Sequence, residues 1–357
     1  MNDGSRLLVV GGGPVGLATA IEGRLAGLEV TVIERRGNPI DKACGEGLMP
    51  GTLAALGHWK VDPAGHRIAG IAYVDAGRRV EHRFRGNDGR GVRRTVLQDA
   101  LSDRARDLGA EFVSGRAIAL EERGGEIRVR GEDFGELAGD WLAGCDGLHS
   151  TVRRLAGLEA PRAPGRDSGI RRSRARVRFG VRRHFGIEPW SDLVEVYWGP
   201  RAELYVTPVD AETVGVAVLG PGPIDFPRVL ASVPELADRL GDAPPVSDLR
   251  GAGPLRQSAL RRTSGRVLLV GDASGYVDAL TGEGLRVGFA QARAAVRSVI
   301  DGDPRSYEGA WARVTRDARA ITSGLVRAAG SPIRSAIVPA AARNPRVFGA
   351  IVERLAR

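Results

Sequence analysis

A glycine-rich turn near the beginning of the chain constrains the fold more than any other feature of the sequence. The apolar run Leu7–Val10 leads directly into Gly11, Gly13 and Gly16, and a helical stretch follows to about Ala26. In a βαβ unit the first glycine makes the turn tight, the second lets the backbone approach a pyrophosphate, and the third allows helix and strand to pack. The phosphates then lie at the positive end of the helix, so the turn predicts a dinucleotide site.

An acidic residue follows the second strand of the same unit. Val30–Ile33 has the pattern of a buried strand, and Glu34 comes directly after it. A carboxylate at this place accepts hydrogen bonds from an adenosine ribose. Glu34 favours an unphosphorylated ribose, and therefore FAD or NAD over NADP as the bound dinucleotide, although Arg35 and Arg36 follow immediately.

Later motifs favour FAD over NAD. Cys145–Arg153 contains Asp-Gly, a Ser three places after the Gly, and an Arg, and it resembles the DG motif of flavoprotein hydroxylases. Gly271–Gly275, continuing to Thr281–Gly284, resembles the GD motif of the same superfamily, and Arg94–Gln98 resembles one of its helix starts. Because the motifs occur in the right order, the chain resembles the superfamily of FAD-dependent monooxygenases and geranylgeranyl reductase-like flavoproteins.

The resemblance implies FAD as the cofactor and NADPH or NADH as the reductant. An aspartate after a buried strand can hold a ribityl hydroxyl, and a glycine-rich helix start directs backbone N–H groups at the flavin. The residues that the motifs assign to FAD are Gly11, Gly13, Pro14, Gly16, Glu34, Arg35, Arg94, Gln98, Asp146, Gly271, Asp272, Gly282, Glu283 and Gly284.

The pattern of elements predicts an α/β fold. A Rossmann-type FAD-binding domain is interrupted by an antiparallel β-sheet substrate domain, because β-rich runs without helical periodicity lie between two βα regions. A helical C-terminal tail follows. The predicted segments are 1–67, 92–160 and 254–303 for the FAD-binding domain, 68–91 and 161–253 for the substrate domain, and 304–357 for the C-terminal helical segment.

Two segments bear on the branch of the superfamily. Lys42–Pro50 resembles the Cys-Gly loop of geranylgeranyl reductase-like proteins and of many small FAD-dependent monooxygenases, and Asp278–Gly284 is close to a motif of the reductase branch. The His that aromatic hydroxylases carry at the position of Gly275 is absent, and no halogenase signature is visible. We favour an NAD(P)H-using monooxygenase that hydroxylates an aromatic or polyketide-like molecule in secondary metabolism. A reductase that saturates an alkene is the alternative.

The Cys-Gly loop supplies two candidate catalytic residues. Cys44 is a proton donor or simply a small neighbour of the flavin ring, since buried cysteines are usually inert. Glu46 serves as an acid or base if it is desolvated, and is otherwise an exposed loop carboxylate. Cys145 precedes the DG aspartate on a predicted buried strand and is assigned to packing.

Aromatic side chains on the predicted sheet suggest one wall of a substrate cavity. The candidates are Tyr197, Trp198 and Tyr205, and strand alternation places Tyr197 and Trp198 on opposite faces. An aromatic wall suits an aromatic or polyene substrate, although any half-buried sheet would use the same residues. Arg172, Arg174, Arg176 and Arg178 alternate along one strand, as a solvated face or as a docking patch for a nicotinamide phosphate or acidic carrier.

The large positive charge of the chain is weaker evidence for nucleic-acid binding than its magnitude suggests. The formal charge is +9, from 52 Lys and Arg against 43 Asp and Glu, but only Lys42 and Lys60 are lysines. Dispersed arginines with no basic, aromatic-rich stripe are better explained by codon usage. A non-redox basic binding module is therefore only the different-class alternative, and no nucleic-acid partner is predicted.

The remaining expectations concern compartment and assembly. Two cysteines about 100 residues apart predict neither a disulfide nor a metal site. No run of 18 apolar residues occurs, so we expect a cytoplasmic protein that contacts a membrane only if its substrate is a lipid. The C-terminal segment covers the cavity, pairs two subunits or lies on a membrane, and the sequence leaves the oligomeric state open.

Overall fold

The structure is a computed structural model, and it describes residues 4–161 and 177–357. This part of the chain consists of alternating strands and helices. The strands are β1 (Arg6–Val10), β2 (Glu29–Glu34), β3 (Gly47–Leu48), β4 (His66–Ile68), β5 (Gly70–Asp75), β6 (Arg78–Arg83), β7 (Gly89–Gly91), β8 (Glu111–Ser114), β9 (Ala117–Arg123), β10 (Glu126–Gly131), β11 (Glu136–Gly139), β12 (Trp141–Gly144), β13 (Arg178–Gly186), β14 (Leu193–Trp198), β15 (Glu203–Pro208), β16 (Thr213–Pro221), β17 (Arg250–Ala252), β18 (Thr263–Ser264) and β19 (Val267–Leu269).

The helices lie between these strands and in the C-terminal segment. They are α1 (Pro14–Leu25), α2 (Pro50–His58), α3 (Arg94–Asp107), α4 (Thr151–Leu155), α5 (Phe226–Ala231), α6 (Pro234–Leu240), α7 (Gly284–Ile300), α8 (Ser306–Ala329), α9 (Ile337–Arg343) and α10 (Pro345–Ala356), with 3-10 turns at Gly271–Ser274 and Pro332–Ala336.

A six-stranded sheet carries the glycine turn. Its order is β18-β19-β12-β1-β2-β8, and all neighbours are parallel except the short β18. Side chains of β1 alternate between two cores, with Leu7 and Val9 facing α1, α3 and α7, and Leu8 and Val10 facing β9 and β10. Burial on both faces explains why these strands read as continuous apolar runs. The α/β fold class is confirmed.

A seven-stranded sheet follows the order β17-β13-β16-β15-β14-β5-β6. Its neighbours are antiparallel except β14 and β5, which pair in parallel. The hairpin β5–β6 thus joins the later strands although about 100 residues separate them in sequence. Two smaller sheets have the orders β11-β10-β9 and β3-β7-β4.

The helical C-terminal segment packs against the edge of the seven-stranded sheet. Phe348 and Val352 of α10 share a buried cluster with Val80 of β6 and Val196 of β14. Residues 226–240 form two helices, α5 and α6, because Pro234 begins a new helix. Within the described residues, no helix is both long enough and apolar enough to cross a bilayer.

Candidate functional site

The glycine turn leaves almost no space around its backbone. Gly11 has a φ of 107°, and a Cβ added there would lie 2.6 Å from the carbonyl oxygen of Cys145. A Cβ on Gly16 would lie 1.8 Å from the carbonyl oxygen of Gly11. Helix α1 begins at Pro14 without a side-chain cap, so the N–H groups of its first turn remain available to an anion.

Glu34 lies at the end of β2, beside the glycine turn. Its carboxylate accepts hydrogen bonds from the N–H of Gly12 at 2.8 Å and from Nε of Arg36 at 2.9 Å. Burial alone would raise the pKa of Glu34, but the hydrogen bond and charge of Arg36 outweigh it, so the pKa is lowered. Glu34 and Arg35 both line a large cavity.

Helix α3 supports the glycine turn from the opposite side. Gln98 is buried, and its Nε2 donates to the carbonyl oxygen of Gly12 at 2.6 Å; it holds the turn but does not itself line the cavity. Arg94 lines the cavity, with Nη2 3.7 Å from where a Cβ on Gly13 would lie. The buried Nε of Arg94 has no hydrogen-bond partner among the described residues.

The DG motif joins the β12 strand end to α4. The carboxylate of Asp146 accepts from the N–H groups of Thr151 at 2.6 Å and Val152 at 3.1 Å. Asp146 lines the cavity, but these bonds also stabilise the N-terminus of α4. Arg153 donates to the carbonyl oxygen of Ala273 at 3.0 Å, which ties the DG motif to the GD motif.

The GD motif forms a 3-10 turn after β19. Gly271 has a φ of 67°, and Asp272 presents its carboxylate to the cavity with no hydrogen-bond partner in the described part of the chain. Burial raises the pKa of Asp272, while the charges of Lys42 and Arg94 oppose the increase. The arrangement leaves a hydrogen-bond acceptor free for a ligand.

The loop before α7 contributes backbone rather than charge to the cavity. Gly282, with a φ of 69°, and Gly284 both line it. Glu283 does not, because its side chain is paired with Arg286 on the next turn of α7. Gly282 and Gly284 are therefore the residues of this loop that would lie next to a bound molecule.

The cavity has a volume of about 1170 Å³ and extends from the glycine turn to a chamber between the seven-stranded sheet and the C-terminal helices. Side chains without polar groups make up most of the chamber wall. We call this region the aliphatic chamber; the wall includes Ile71, Val194, Val196, Ala217, Leu219, Leu325, Ile337, Val347, Ile351, Val352 and Leu355.

The structure separates the three aromatic residues that the sequence suggested for this wall. Tyr205 lines the cavity, and its hydroxyl donates to the carbonyl oxygen of Leu280 at 2.8 Å. Tyr197 lies on the opposite face of the sheet, where its hydroxyl donates to buried Glu195 at 2.7 Å. Trp198 lies on the same face of the sheet as the cavity, but it is buried in an apolar cluster with Val194 and Val196 and does not line the cavity. Tyr197 and Trp198 therefore do not form the wall.

The Cys-Gly loop places Cys44 and Glu46 at the wall between the two ends of the cavity. The N–H of Glu46 donates to Sγ of Cys44 at 3.4 Å. Burial raises the pKa of the Cys44 thiol, with smaller opposing effects from Arg94. Glu46 is 3% exposed, so the interpretation as an exposed loop carboxylate is wrong.

Glu46 connects three parts of the chain. Its Oε1 accepts from the N–H of Arg94 at 2.8 Å and its Oε2 lies 2.6 Å from Nε2 of His184. Nδ1 of His184 faces Nη1 of Arg182 at 3.1 Å. Because Arg can only donate, Nδ1 accepts and Nε2–H donates to Glu46. Sequence patterns cannot connect His184 with Glu46, because 138 residues separate the two.

A buried ion-pair cluster fastens the C-terminal segment over the aliphatic chamber. Glu203 is fully buried and pairs with Arg178 of β13 and with Arg334 of the C-terminal segment. Arg178 also pairs with Asp278 at 2.9 Å. Of the predicted arginine row, Arg178 is thus an internal residue. Arg172, Arg174 and Arg176 lie outside the described residues.

Comparison with known proteins gives the same assignment as the motifs. Residues 5–180 match the family described as "FAD binding domain". Menaquinone reductase of Mycobacterium tuberculosis is 28% identical over 354 residues, covering 89% of this chain and 81% of the relative. The family match and these relatives together support an FAD-dependent monooxygenase and reductase superfamily, and with it an oxidoreductase.

Both branches of the superfamily contain relatives. A Streptomyces rimosus 12-dehydrotetracycline 5-monooxygenase/anhydrotetracycline 6-monooxygenase is 30% identical, over 80% of this chain and 60% of the relative. A flavoprotein/dehydrogenase structure from Cytophaga hutchinsonii has a TM-score of 0.81 at 18% identity and covers 98% of this chain and 92% of that one. At this identity the structural match shows the fold alone.

The residues at the glycine-turn end fit the FAD of this superfamily. Gly11 and Gly16 have no room for a side chain, the first turn of α1 offers free N–H groups, and Arg94 presents an unpartnered Nε. Asp272 adds an acceptor for a sugar hydroxyl. Cationic side chains together with the carboxylates of Glu34 and Asp272 match a dinucleotide that combines phosphates and sugar hydroxyls.

Proposed function

We propose that this chain is an FAD-dependent reductase that saturates a double bond of an apolar small molecule, with NADPH or NADH as the reductant. The observation that carries the proposal is the aliphatic chamber, which is continuous with the glycine-turn end of the cavity. A wall made mostly of side chains without hydrogen-bonding groups selects a substrate more by shape and apolar area than by polar contacts. An alkyl or isoprenoid chain meets that requirement.

FAD, when bound, would supply the two-electron chemistry, and the protein would supply binding, orientation and exclusion of water. We assign the phosphates to the first turn of α1 and to Arg94, the adenosine ribose to Glu34, and the ribityl hydroxyls to Asp272. Backbone N–H groups at Gly282–Gly284 would face the flavin. The assignment follows from the lining of the cavity and from the free donors and acceptors there.

Cys44 is our candidate for the proton donor. Saturation of a double bond takes a hydride and a proton, and Cys44 lines the cavity between its two ends. Since burial raises the pKa of its thiol, the group carries a proton at neutral pH. Glu46 would act through its position: bonds from Arg94 and His184 fix its carboxylate and, with it, the loop that carries Cys44.

Hydroxylation of an aromatic or polyketide-like molecule by a monooxygenase is the second candidate. Two observations favour it: relatives named as tetracycline monooxygenases and the aromatic rings of Tyr73 and Tyr205 at the cavity. We rank it second because two of the three aromatic residues expected in the wall, Tyr197 and Trp198, do not line the cavity.

Turnover in the presence and absence of oxygen separates the two candidates. Purified FAD-loaded protein is incubated with NADPH or NADH and with a menaquinone bearing an unsaturated side chain, a geranylgeranyl lipid or a tetracycline precursor, under air and under argon. The proposal predicts equal product under both gases with one of the first two probes. Product that forms only under air would establish the monooxygenase, and a colourless protein that binds no FAD would contradict both.

A further inference from the structure

Lysine is almost absent from a chain that is rich in arginine. Of 52 basic residues, only Lys42 and Lys60 are lysines. Lys60 is exposed and follows α2 with a φ of 60°, whereas Lys42 lines the cavity two residues before Cys44. One of the two lysines therefore lies at the cofactor site, where an amine and a guanidinium would behave differently.

The surroundings of Lys42 are crowded with charge. Its Nζ lies 3.5 Å from where a Cβ on Gly147 of the DG motif would be. The charged groups that act on it are the cations Arg36 and Arg94 and the carboxylates Asp272 and Glu34. Among the described residues, Nζ has neither a hydrogen bond nor an ion pair; Glu34 is already paired with Arg36.

An arginine in this place would be a permanent cation. Guanidinium stays charged at any accessible pH, so a third guanidinium beside Arg36 and Arg94 would repel them whenever the cavity lacks an anion. An amine avoids that cost by releasing its proton. Burial lowers the pKa of Lys42, Arg36 and Arg94 lower it further, and Asp272 and Glu34 partly oppose them.

We propose that Lys42 is a proton-coupled cation of the cofactor site, which takes up a proton when an anionic part of FAD enters the cavity and releases it when that charge leaves. The proposal rests on FAD binding in the proposed function and deepens it. One proton moves between solvent and Nζ, and no bond to carbon and no electron is involved. The anion is either the diphosphate of FAD or the charge that the flavin gains on reduction.

The coupling has a definite sign. The pKa of Lys42 is lowered without the anion and rises when the anion binds, so binding takes up a proton in the pH range between the two values. Affinity for the anion is complete below the lower value and falls as the pH rises through the higher one. A rise of about one pKa unit corresponds to about tenfold in affinity.

The scarcity of lysine makes the titration simple to observe. Reductive methylation with ¹³C-formaldehyde labels the two lysines and the terminal amine, and the signal of Lys42 is the one that is lost in Lys42→Arg. NMR titrations compare the FAD-free chain with the same chain holding oxidised FAD, dithionite-reduced FAD or riboflavin. We expect Lys42 to titrate below Lys60 without FAD and to move up by about one unit or more with FAD.

The arms of the experiment assign the anion. A rise with oxidised FAD but not with riboflavin identifies the diphosphate, and a rise that needs reduced FAD identifies the ring. Lys42→Arg keeps a cation but cannot titrate, so its affinity for the same anion should lose the pH dependence, while Lys60→Arg keeps it. Titration of Lys42 like Lys60, no shift with any form of FAD, or wild-type pH dependence in Lys42→Arg would overturn the proposal. Since no substrate is used, these outcomes do not depend on whether turnover is found.

Discussion

At the glycine-turn end of the cavity, backbone approaches backbone and charged side chains are concentrated, whereas the aliphatic chamber is formed by side chains from strands and helices far apart in sequence. Gly11, Gly16 and the first turn of α1 leave no room for variation. The chamber wall joins β5, β14 and α10, which meet only in the folded chain. The first end therefore defines the cofactor, and the second can change with the substrate.

The largest expected effect is at the glycine turn. In Gly16→Ala, a Cβ would lie 1.8 Å from the carbonyl oxygen of Gly11, so the strand and helix must separate. We expect a loss of about 4 kcal/mol or more in the free energy of unfolding, together with loss of bound FAD, measured by denaturation and flavin absorbance. Gly324→Ala, in a helix with no atom near the added Cβ, is the control and should be neutral or stabilising. Retained FAD and stability in Gly16→Ala would remove the distinction between the two ends.

The ion-pair cluster is the corresponding point at the chamber end. Arg334→Met leaves buried Glu203 with Arg178 alone and removes one of the contacts that hold the C-terminal segment to the sheet. We expect a loss of about 3 kcal/mol in unfolding free energy and a higher KM for an apolar substrate, with the Kd for FAD unchanged. Arg354→Met breaks an exposed pair with Asp317, which solvent screens, and should leave the free energy of unfolding nearly unchanged. A large loss of FAD affinity in Arg334→Met would show that the two ends are not independent.

Two tyrosines on opposite faces of one sheet test the boundary of the chamber. Tyr205→Phe removes a hydroxyl at the cavity, whose partner is the carbonyl oxygen of Leu280, and should change KM severalfold. Tyr197→Phe removes the bond to Glu195 behind the sheet and should cost about 1 kcal/mol of stability with KM unchanged. Steady-state kinetics and thermal denaturation of both variants provide the comparison. A change in KM for Tyr197→Phe alone would reverse our assignment of the faces.

The smallest expected effect concerns the two thiols. Burial raises the pKa of Cys44 and raises that of Cys145 to about 12. Thiolate is the reactive form, so iodoacetamide at neutral pH should modify both thiols more slowly than in an unfolded control. Raising the pH should accelerate alkylation of Cys44 first, because Cys44 is only partly buried whereas Cys145 is buried. Bound FAD should slow the alkylation of Cys44 further. Fast alkylation of Cys44 at neutral pH would exclude it as a neutral proton donor.

The difference between the two ends also determines what the sequence could predict. Motifs in which backbone geometry demands glycine, such as Gly11 and Gly271, are local, so their positions at strand ends were predictable. The partner of Glu46 was not predictable, because Glu46 lies in the loop before β3 whereas His184 lies on β13. Tyr197 was assigned to the wall because alternation gives two faces but does not say which one is covered by α5 and α6. The aliphatic wall could not be predicted from the sequence either, since Val, Ile and Leu at these positions are indistinguishable from ordinary core residues.

The fate of molecular oxygen tests the central claim most directly. FAD-loaded protein turns over its unsaturated probe with NADPH or NADH under ¹⁸O₂, and the product is analysed by mass spectrometry. We predict a product that has gained two hydrogens and contains no ¹⁸O. Incorporation of ¹⁸O into the product would contradict the reductase and assign the aliphatic chamber to a monooxygenase.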